Sequence, residues 1–145
     1  MELVDIAEII ENIKWSLQDK ILQSETAIRC DLSVKQIRFS KKNLRSILFN
    51  LVANAIKFKG DEISVIEISS TEMDGRAVLK VSDNGKGISK AGLDRIFEMY
   101  GRLQQDIEGS GIGLYLAKKI INASGGMLTV ESEVGKGTTF TIFFG

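Results

Sequence analysis

The sequence predicts a two-layer α/β sandwich, a mixed and mostly antiparallel sheet with helices packed on one face. Three observations carry that expectation. Apolar residues recur at three- and four-residue steps in three long stretches, short alternating runs joined by turn signals fall between and after them, and 145 residues without a single proline show no boundary, repeat or low-complexity tract. Helices beside a run of mainly hairpin-connected strands bury their apolar faces against each other in two layers. The whole of residues 1–145 is therefore read as one domain, a length sufficient for one core without disulfides or structural metal.

Leu3, Ile6, Ile10, Ile13, Leu17 and Ile21 form the first apolar stripe, and Asp5 with Glu8 resembles an N-terminal capping pair, giving a helix over about residues 5–23. Ala27–Leu32 and Gln36–Phe39 alternate as strands with a turn between them. Ser40 caps a second helix running to about Lys59, with Leu44, Ile47, Leu48, Leu51, Val52 and Ala55 on its core face. Glu62–Thr71 and Arg76–Asp83 read as a hairpin turned by Met73-Asp74-Gly75. A short helical piece spans Ser89–Phe97, and Glu98–Gly109 is a polar loop long for mere connection, expected to act as a mobile lid. Gly111–Ser124 is a third long helix, stopped by Gly125-Gly126, and the final strands are Met127–Ser132 and Thr138–Phe144.

Composition removes several function classes. Hydrophobic residues make up 43% and charged residues 26%, with 19 basic against 19 acidic side chains, as in an ordinary globular protein without the basic excess of a nucleic-acid binder. No apolar run approaches a transmembrane span and the amino end lacks the regions of a signal peptide, so this segment is expected in the cytoplasm and outside the membrane. The lone Cys30 alternates with Ile28 and Leu32 and is expected as a buried thiol in a strand, leaving a zinc site unsupported. There is no histidine, which excludes Ser-His and Cys-His mechanisms and any histidine phosphoacceptor within these residues.

Three motifs carry chemistry. In N-L-V-A-N-A-I-K-F, Asn50–Phe58, the helical repeat gathers Asn43, Asn50, Asn54 and Lys57 within roughly 60° of one another, beside the apolar face rather than opposite it. Asparagine is a poor interior helix former; its amide oxygen suits a hard cation such as Mg²⁺, and the ammonium suits a phosphate, although the same stripe also reads as a solvated helix flank. In V-S-D-N-G-K-G-I, Val81–Ile88, the two-residue strand period makes Asp83 the acid ending an apolar row of Ala77, Leu79 and Val81. A partly buried carboxylate needs donors, for which the exocyclic amine of adenine is suited, and Gly85 and Gly87 would clear the backbone for a flat ring; an ordinary glycine turn fits equally well. G-S-G-I-G-L, Gly109, Ser110, Gly111, Ile112, Gly113 and Leu114, opens a helix N-terminus, which is an anion site or a plain helix start. Neither a Walker loop nor G-x-G-x-x-G occurs.

Taken in order, these residues resemble the histidine-kinase branch of the ATPase superfamily that also holds type II topoisomerases, heat-shock chaperones and mismatch-repair ATPases, whose sandwich is the Bergerat fold. Asn50–Phe58 resembles its N box, Asp83–Ile88 its first glycine box, Phe97–Tyr100 its F box, Gly109–Leu114 its second glycine box, and G-K-G-T-T-F, Gly135–Phe140, its glycine-threonine box. The resemblance implies ATP and Mg²⁺ as ligands: Asn54 and Asn50 at the metal, Lys57 at phosphate, Asp83 at adenine with Gly85, Gly87 and Ile88 around it, the Gly109–Leu114 backbone at the phosphates, Tyr100 and Arg102 at the nucleotide's border, and Thr138 supporting Asp83 through water. Hydrolytic branches keep an acid where Asn50 stands, so the resemblance implies γ-phosphoryl transfer to a histidine on a dimerisation and phosphoacceptor helical domain of the parent protein, itself free to be membrane-anchored, and onward to a response-regulator receiver domain. The rival readings are a nucleotide-sensing module that transfers nothing and a serine kinase of the anti-sigma-factor type. Those serine kinases also typically carry the acid, and Glu98-Met99-Tyr100-Gly101-Arg102 looks more like the histidine kinases.

Overall fold

A computed structural model describes residues 1–98 and 113–145. In chain order the elements are β1 (Glu2–Asp5), α1 (Ile6–Ser16), α2 (Gln18–Ser24), β2 (Ala27–Leu32), β3 (Gln36–Phe39), α3 (Lys41–Lys57), β4 (Val65–Met73), β5 (Arg76–Asp83), α4 (Lys90–Leu93), α5 (Gly113–Ala123), β6 (Met127–Glu133) and β7 (Gly137–Phe143). Five strands form a sheet in the order β2-β4-β5-β7-β6, in which only β2 and β4 run parallel. The helices pack on one face of it, so the fold is the expected two-layer sandwich.

Alternation along the strands explains why one face is dry. Ile66 and Ile68 of β4, Leu79 and Val81 of β5, Phe140 and Ile142 of β7 and Leu128 of β6 are buried on the helix side, and in β4 they alternate with the more exposed Glu67 and Ser69. Against them α1 sets Ile6, Ile9, Ile10 and Ile13, α3 sets Leu44, Ile47, Leu48, Leu51, Val52, Ala55 and Ile56, and α5 sets Ala117 and Ile121. Each fully buried Leu or Ile stabilises the fold by roughly 1.5–3 kcal/mol. Helix α3 touches α1, α5 and β5 and so carries its polar flank to the middle of the molecule.

The local chemistry expected of the caps and the hairpin is present. Asp5 accepts from the Glu8 N–H at 3.2 Å and Ser40 Oγ from the Asn43 N–H at 3.2 Å. Asp74 and Gly75 both have positive φ, 53° and 78°, as a two-residue turn matched to the right-handed strand twist requires.

Several expectations are corrected. The first helix starts one residue later than expected and is two: α1 ends at Ser16, Leu17 leaves helical geometry at φ −102° and ψ 15°, and α2 begins at Gln18 without a side-chain cap. The apolar stripe Ile13–Leu17–Ile21 runs through this break, so periodicity hides it. Leu3 belongs to β1, not to the helix; it is 55% exposed while Val4, paired with Ile37 of β3, is 2% exposed. The strands β2 and β3 lie in different sheets, β3 with β1 and β2 at the edge of the large one. That edge position also overturns the buried thiol: Cys30 is exposed, between the partly buried Ile28 and Leu32. Among bounds, α3 stops at Lys57, β4 runs from Val65 to Met73, and only Lys90–Leu93 of the Ser89–Phe97 piece is helical. The lid expected over Glu98–Gly109 lies, beyond Glu98, outside the described residues. Among the described residues no helix is long and apolar enough to cross a membrane.

Candidate functional site

Three adjacent strands end their buried rows with a polar side chain at the same end of the sheet. On β5 Leu79 and Val81 lead to Asp83, on β7 Ile142 and Phe140 lead back to Thr138, and on β6 Leu128 and Val130 lead to Ser132. The register places Asp83 opposite Thr138 and Thr138 opposite Ser132. This polar row closes the core beside the C-terminal part of α3.

Asp83 is partly buried, and its Oδ1 accepts the Gly85 N–H at 2.8 Å. Burial pushes the carboxyl's pKa above the usual aspartate value, and hydrogen bonds from the Gly85 and Thr138 main chain offset part of that rise. The Thr138 hydroxyl, in contrast, lies 2.8 Å from Ser132 Oγ. Its direct support of Asp83 thus comes through the backbone.

The loop from Asp83 to Ile88 is tied on three sides. Asn84 accepts the Val65 N–H at 2.8 Å and donates to the Ile63 carbonyl at 2.7 Å, fixing the start of β4. Lys86 donates its N–H to the Phe58 carbonyl at the end of α3, at 3.0 Å, and accepts the Gly135 N–H at 2.7 Å. Ile88 donates its N–H to Ser132 Oγ at 2.7 Å. The glycines serve these ties: a Cβ on Gly85 would collide with the Phe58 carbonyl oxygen, and one on Gly87, at φ +76°, with that of Glu133. At both positions the missing side chain makes room for the chain's own backbone. Ile88 is 7% exposed, so what it gives the site is the position of its loop.

On α3, Asn50 and Asn54 are half-buried and Lys57 exposed, bordering the core face as the helical repeat requires. Asn50 Nδ2 donates to the Ser46 carbonyl at 3.0 Å. Its Oδ1 stands 2.7 Å from where a Cβ on Gly113 would be, so the first turn of α5 rests on this amide. Leu114 is half-buried against the core. Phe97 stacks edge-on against Phe140, centroids 6.3 Å apart, with Lys118 Nζ of α5 4.6 Å from its centroid. Tyr100, Arg102, Gly109, Ser110, Gly111 and Ile112 lie outside the described residues. A cavity of about 450 Å³ lined by Met73, Arg76, Gly126 and Met127 sits at the other end of the sheet and shares no residue with this site.

The structure thus brings together Asp83, Gly85 and Thr138 in one hydrogen-bonded cluster with Gly87 packed against Glu133 beside it, and α3 joined to it through Phe58 and to α5 through Asn50. Sequence reasoning passed over Ser132 and gave Asn84 and Gly137, though inside the quoted motifs, no role of their own. Gly137 has φ +128°, and any side chain there would strike the Asp83 carbonyl. Ser132 carried the same signal as Asp83, a polar residue ending an alternating apolar row.

Residues 40–145 match the family described as histidine kinase-, DNA gyrase B-, and HSP90-like ATPase. The chain is 32% identical over 141 residues to cyanobacterial phytochrome A of Nostoc sp., covering 96% of this chain and 18% of that protein. It is 35% identical over 147 residues to the sensor protein BceS of Halalkalibacterium halodurans, covering 99% of this chain and 43% of the relative. It therefore spans less than half of the length of these relatives. Among solved structures, full-length ShkA in complex with AMPPNP is similar with a TM-score of 0.84 and 28% identity, over 99% of this chain and 30% of that one. The catalytic domain of histidine kinase ThkA shares the fold, with a TM-score of 0.83 at 23% identity over 99% of this chain and 95% of that one.

Proposed function

Because this chain belongs to the histidine kinase-, DNA gyrase B-, and HSP90-like ATPase family, as the catalytic ATP-binding domain of a sensor histidine kinase, we propose that it binds Mg²⁺-ATP and passes the γ-phosphoryl group to a histidine on a separate helical domain of a longer protein. The observation that carries this reading is Asp83, a carboxylate burial has made costly to ionise and to which only main-chain N–H groups of Gly85 and Thr138 are seen to donate among the described residues. A carboxylate offers about four acceptor positions, so an adenine amine fits beside those two donors and offsets the desolvation.

On the same reading the amide oxygens of Asn54 and Asn50 hold the divalent ion, and the Lys57 ammonium holds a phosphate oxygen. The metal supplies neutralisation of phosphate charge when bound. Start-of-helix N–H groups at α5 add a positive end to the phosphate side. What these residues do is position, which is most of what phosphoryl transfer asks of a protein. An asparagine at position 50 cannot accept a proton from water, and no histidine occurs in the chain, so binding without turnover is expected of these residues by themselves. The phosphorylated helical domain would then serve a response-regulator receiver.

The test is incubation with γ-labelled ATP, first of the chain alone and then with the helical domain of its own longer protein in trans. Acid-labile label on the helices, with little free phosphate in either tube, is the expected result. Acid-stable label would point to a serine kinase, and binding with no label on a folded acceptor to a nucleotide-sensing module.

A further inference from the structure

We infer that Ser132 is a positioning residue for adenine recognition, acting through Asp83 and the 83–88 loop; this rests on the nucleotide-binding reading above. Its hydroxyl sits at the end of β6, in line with Thr138 and Asp83 across three strands. A serine hydroxyl has one proton and two lone pairs. The proton goes to the Gly137 carbonyl at 2.8 Å, and the Ile88 N–H arrives at 2.7 Å. The remaining lone pair therefore accepts the Thr138 hydroxyl, 2.8 Å away. All three positions are filled, which fixes the Ser132 rotamer and everything attached to it.

The attachments are the two feet of the loop. Ile88 is its last residue, held by its N–H; its first, Asp83, rests on Gly137, which has φ +128° and no room for a side chain against the Asp83 carbonyl, and on the Thr138 main chain. Ser132 holds the Gly137 carbonyl and the Thr138 side chain at one foot and the Ile88 N–H at the other. Asn84, in contrast, ties the loop outward to Ile63 and Val65. Removing the hydroxyl leaves the Ile88 N–H and the Gly137 carbonyl without their shared partner and frees the loop to move Asp83 relative to a bound ring. The effect belongs to the adenine end of the site, so it falls equally on ligands with two or three phosphates.

The experiment titrates the chain with ADP and with ATP, both with Mg²⁺, well below the melting temperature of each protein, for wild type, Ser132→Ala, Asp83→Asn and the double variant. Ser132→Ala is expected to weaken both ligands by the same factor, about 2- to 13-fold, the worth of one ordinary hydrogen bond. The double variant is expected to bind no more weakly than Asp83→Asn alone, and the Ile88 amide to exchange faster in Ser132→Ala. A merely structural serine would lower the melting temperature and leave these affinities unchanged. Ser132→Cys, close in size but a weaker donor and acceptor, carries the same comparison if the alanine variant does not fold. Wild-type affinity in the variants, a loss confined to ATP, or losses that multiply in the double variant would each overturn the inference while leaving nucleotide binding intact. A wild-type chain that binds neither ligand would overturn the nucleotide reading itself, and this inference with it.

Discussion

Gly113 at the start of α5 lies directly on the side chain of Asn50 in α3: a Cβ added to Gly113 would stand 2.7 Å from Asn50 Oδ1 and 3.0 Å from its Cγ. The amide has little freedom to retreat, since its Nδ2 donates to the Ser46 carbonyl at 3.0 Å. A polar residue of the candidate metal site is thereby also the seat of the helix whose start faces the phosphates on our reading.

The contact predicts an energetic coupling. Gly113→Ala overpacks the seat, a change that ordinarily costs about 1–3 kcal/mol, and Asn50→Ser removes the Oδ1 that it strikes first. In a double-mutant cycle read by denaturant unfolding, the alanine is expected to cost about 1–2 kcal/mol less in the Asn50→Ser background than in wild type. Additive effects would mean that α5 and Asn50 do not bear on each other.

Asp83 predicts a pH dependence of stability with a definite sign. Burial raises its folded pKa above the unfolded value, so between the two values the native state binds more protons than the unfolded state and stability falls as pH rises. Below the unfolded value the penalty is absent, and above the folded value it is complete. The melting temperature of Asp83→Asn relative to wild type is therefore expected to move in the variant's favour as pH is raised from below the aspartate range to neutrality. ADP supplies the counterpart: a donor on the carboxylate favours its charged form, so wild-type binding should release protons in that window and the Asn variant should not.

Two glycines of one turn separate backbone strain from collision. Gly135 and Gly137 have φ +85° and +128°, but a Cβ on Gly135 meets nothing within 4 Å, whereas on Gly137 it meets the Asp83 carbonyl and Asn84 Cα. Gly135→Ala is expected to cost only the backbone term, on the order of 1–3 kcal/mol, and to leave ADP affinity intact. Gly137→Ala is expected to cost more and to weaken ADP binding, as thermal melts and titration of both variants would reveal. Equal behaviour of the two would detach Gly137 from the seat of Asp83.

Much of this was legible in the sequence because it is local. Ser40 announces its helix by capping chemistry, the 3.6-residue repeat puts Asn50 and Asn54 beside the core, and the two-residue repeat ends the β5 row on Asp83. What was not legible depends on which elements meet. Nothing near Leu17 marks the break between α1 and α2, since the apolar stripe continues across it. Cys30 follows its strand's alternation yet is exposed because β2 is an edge strand, a matter of sheet order. Gly85 and Gly87 read equally as clearance for a ligand or as an ordinary glycine turn, and only the fold shows that Phe58 and Glu133, distant in sequence, fill the space a Cβ would take. Ser132 was visible in principle; its pattern gained meaning only with Asp83 and Thr138 aligned beside it.

The most direct measurement is a calorimetric titration of the chain and of Asp83→Ala with ATP and Mg²⁺, because the account places recognition of the base on that carboxylate. Loss of a hydrogen bond to a charged group is worth about 1.5–3 kcal/mol, so the variant is expected to bind about 10- to 150-fold more weakly while remaining folded. Equal affinities of the two folded proteins for ATP would contradict it.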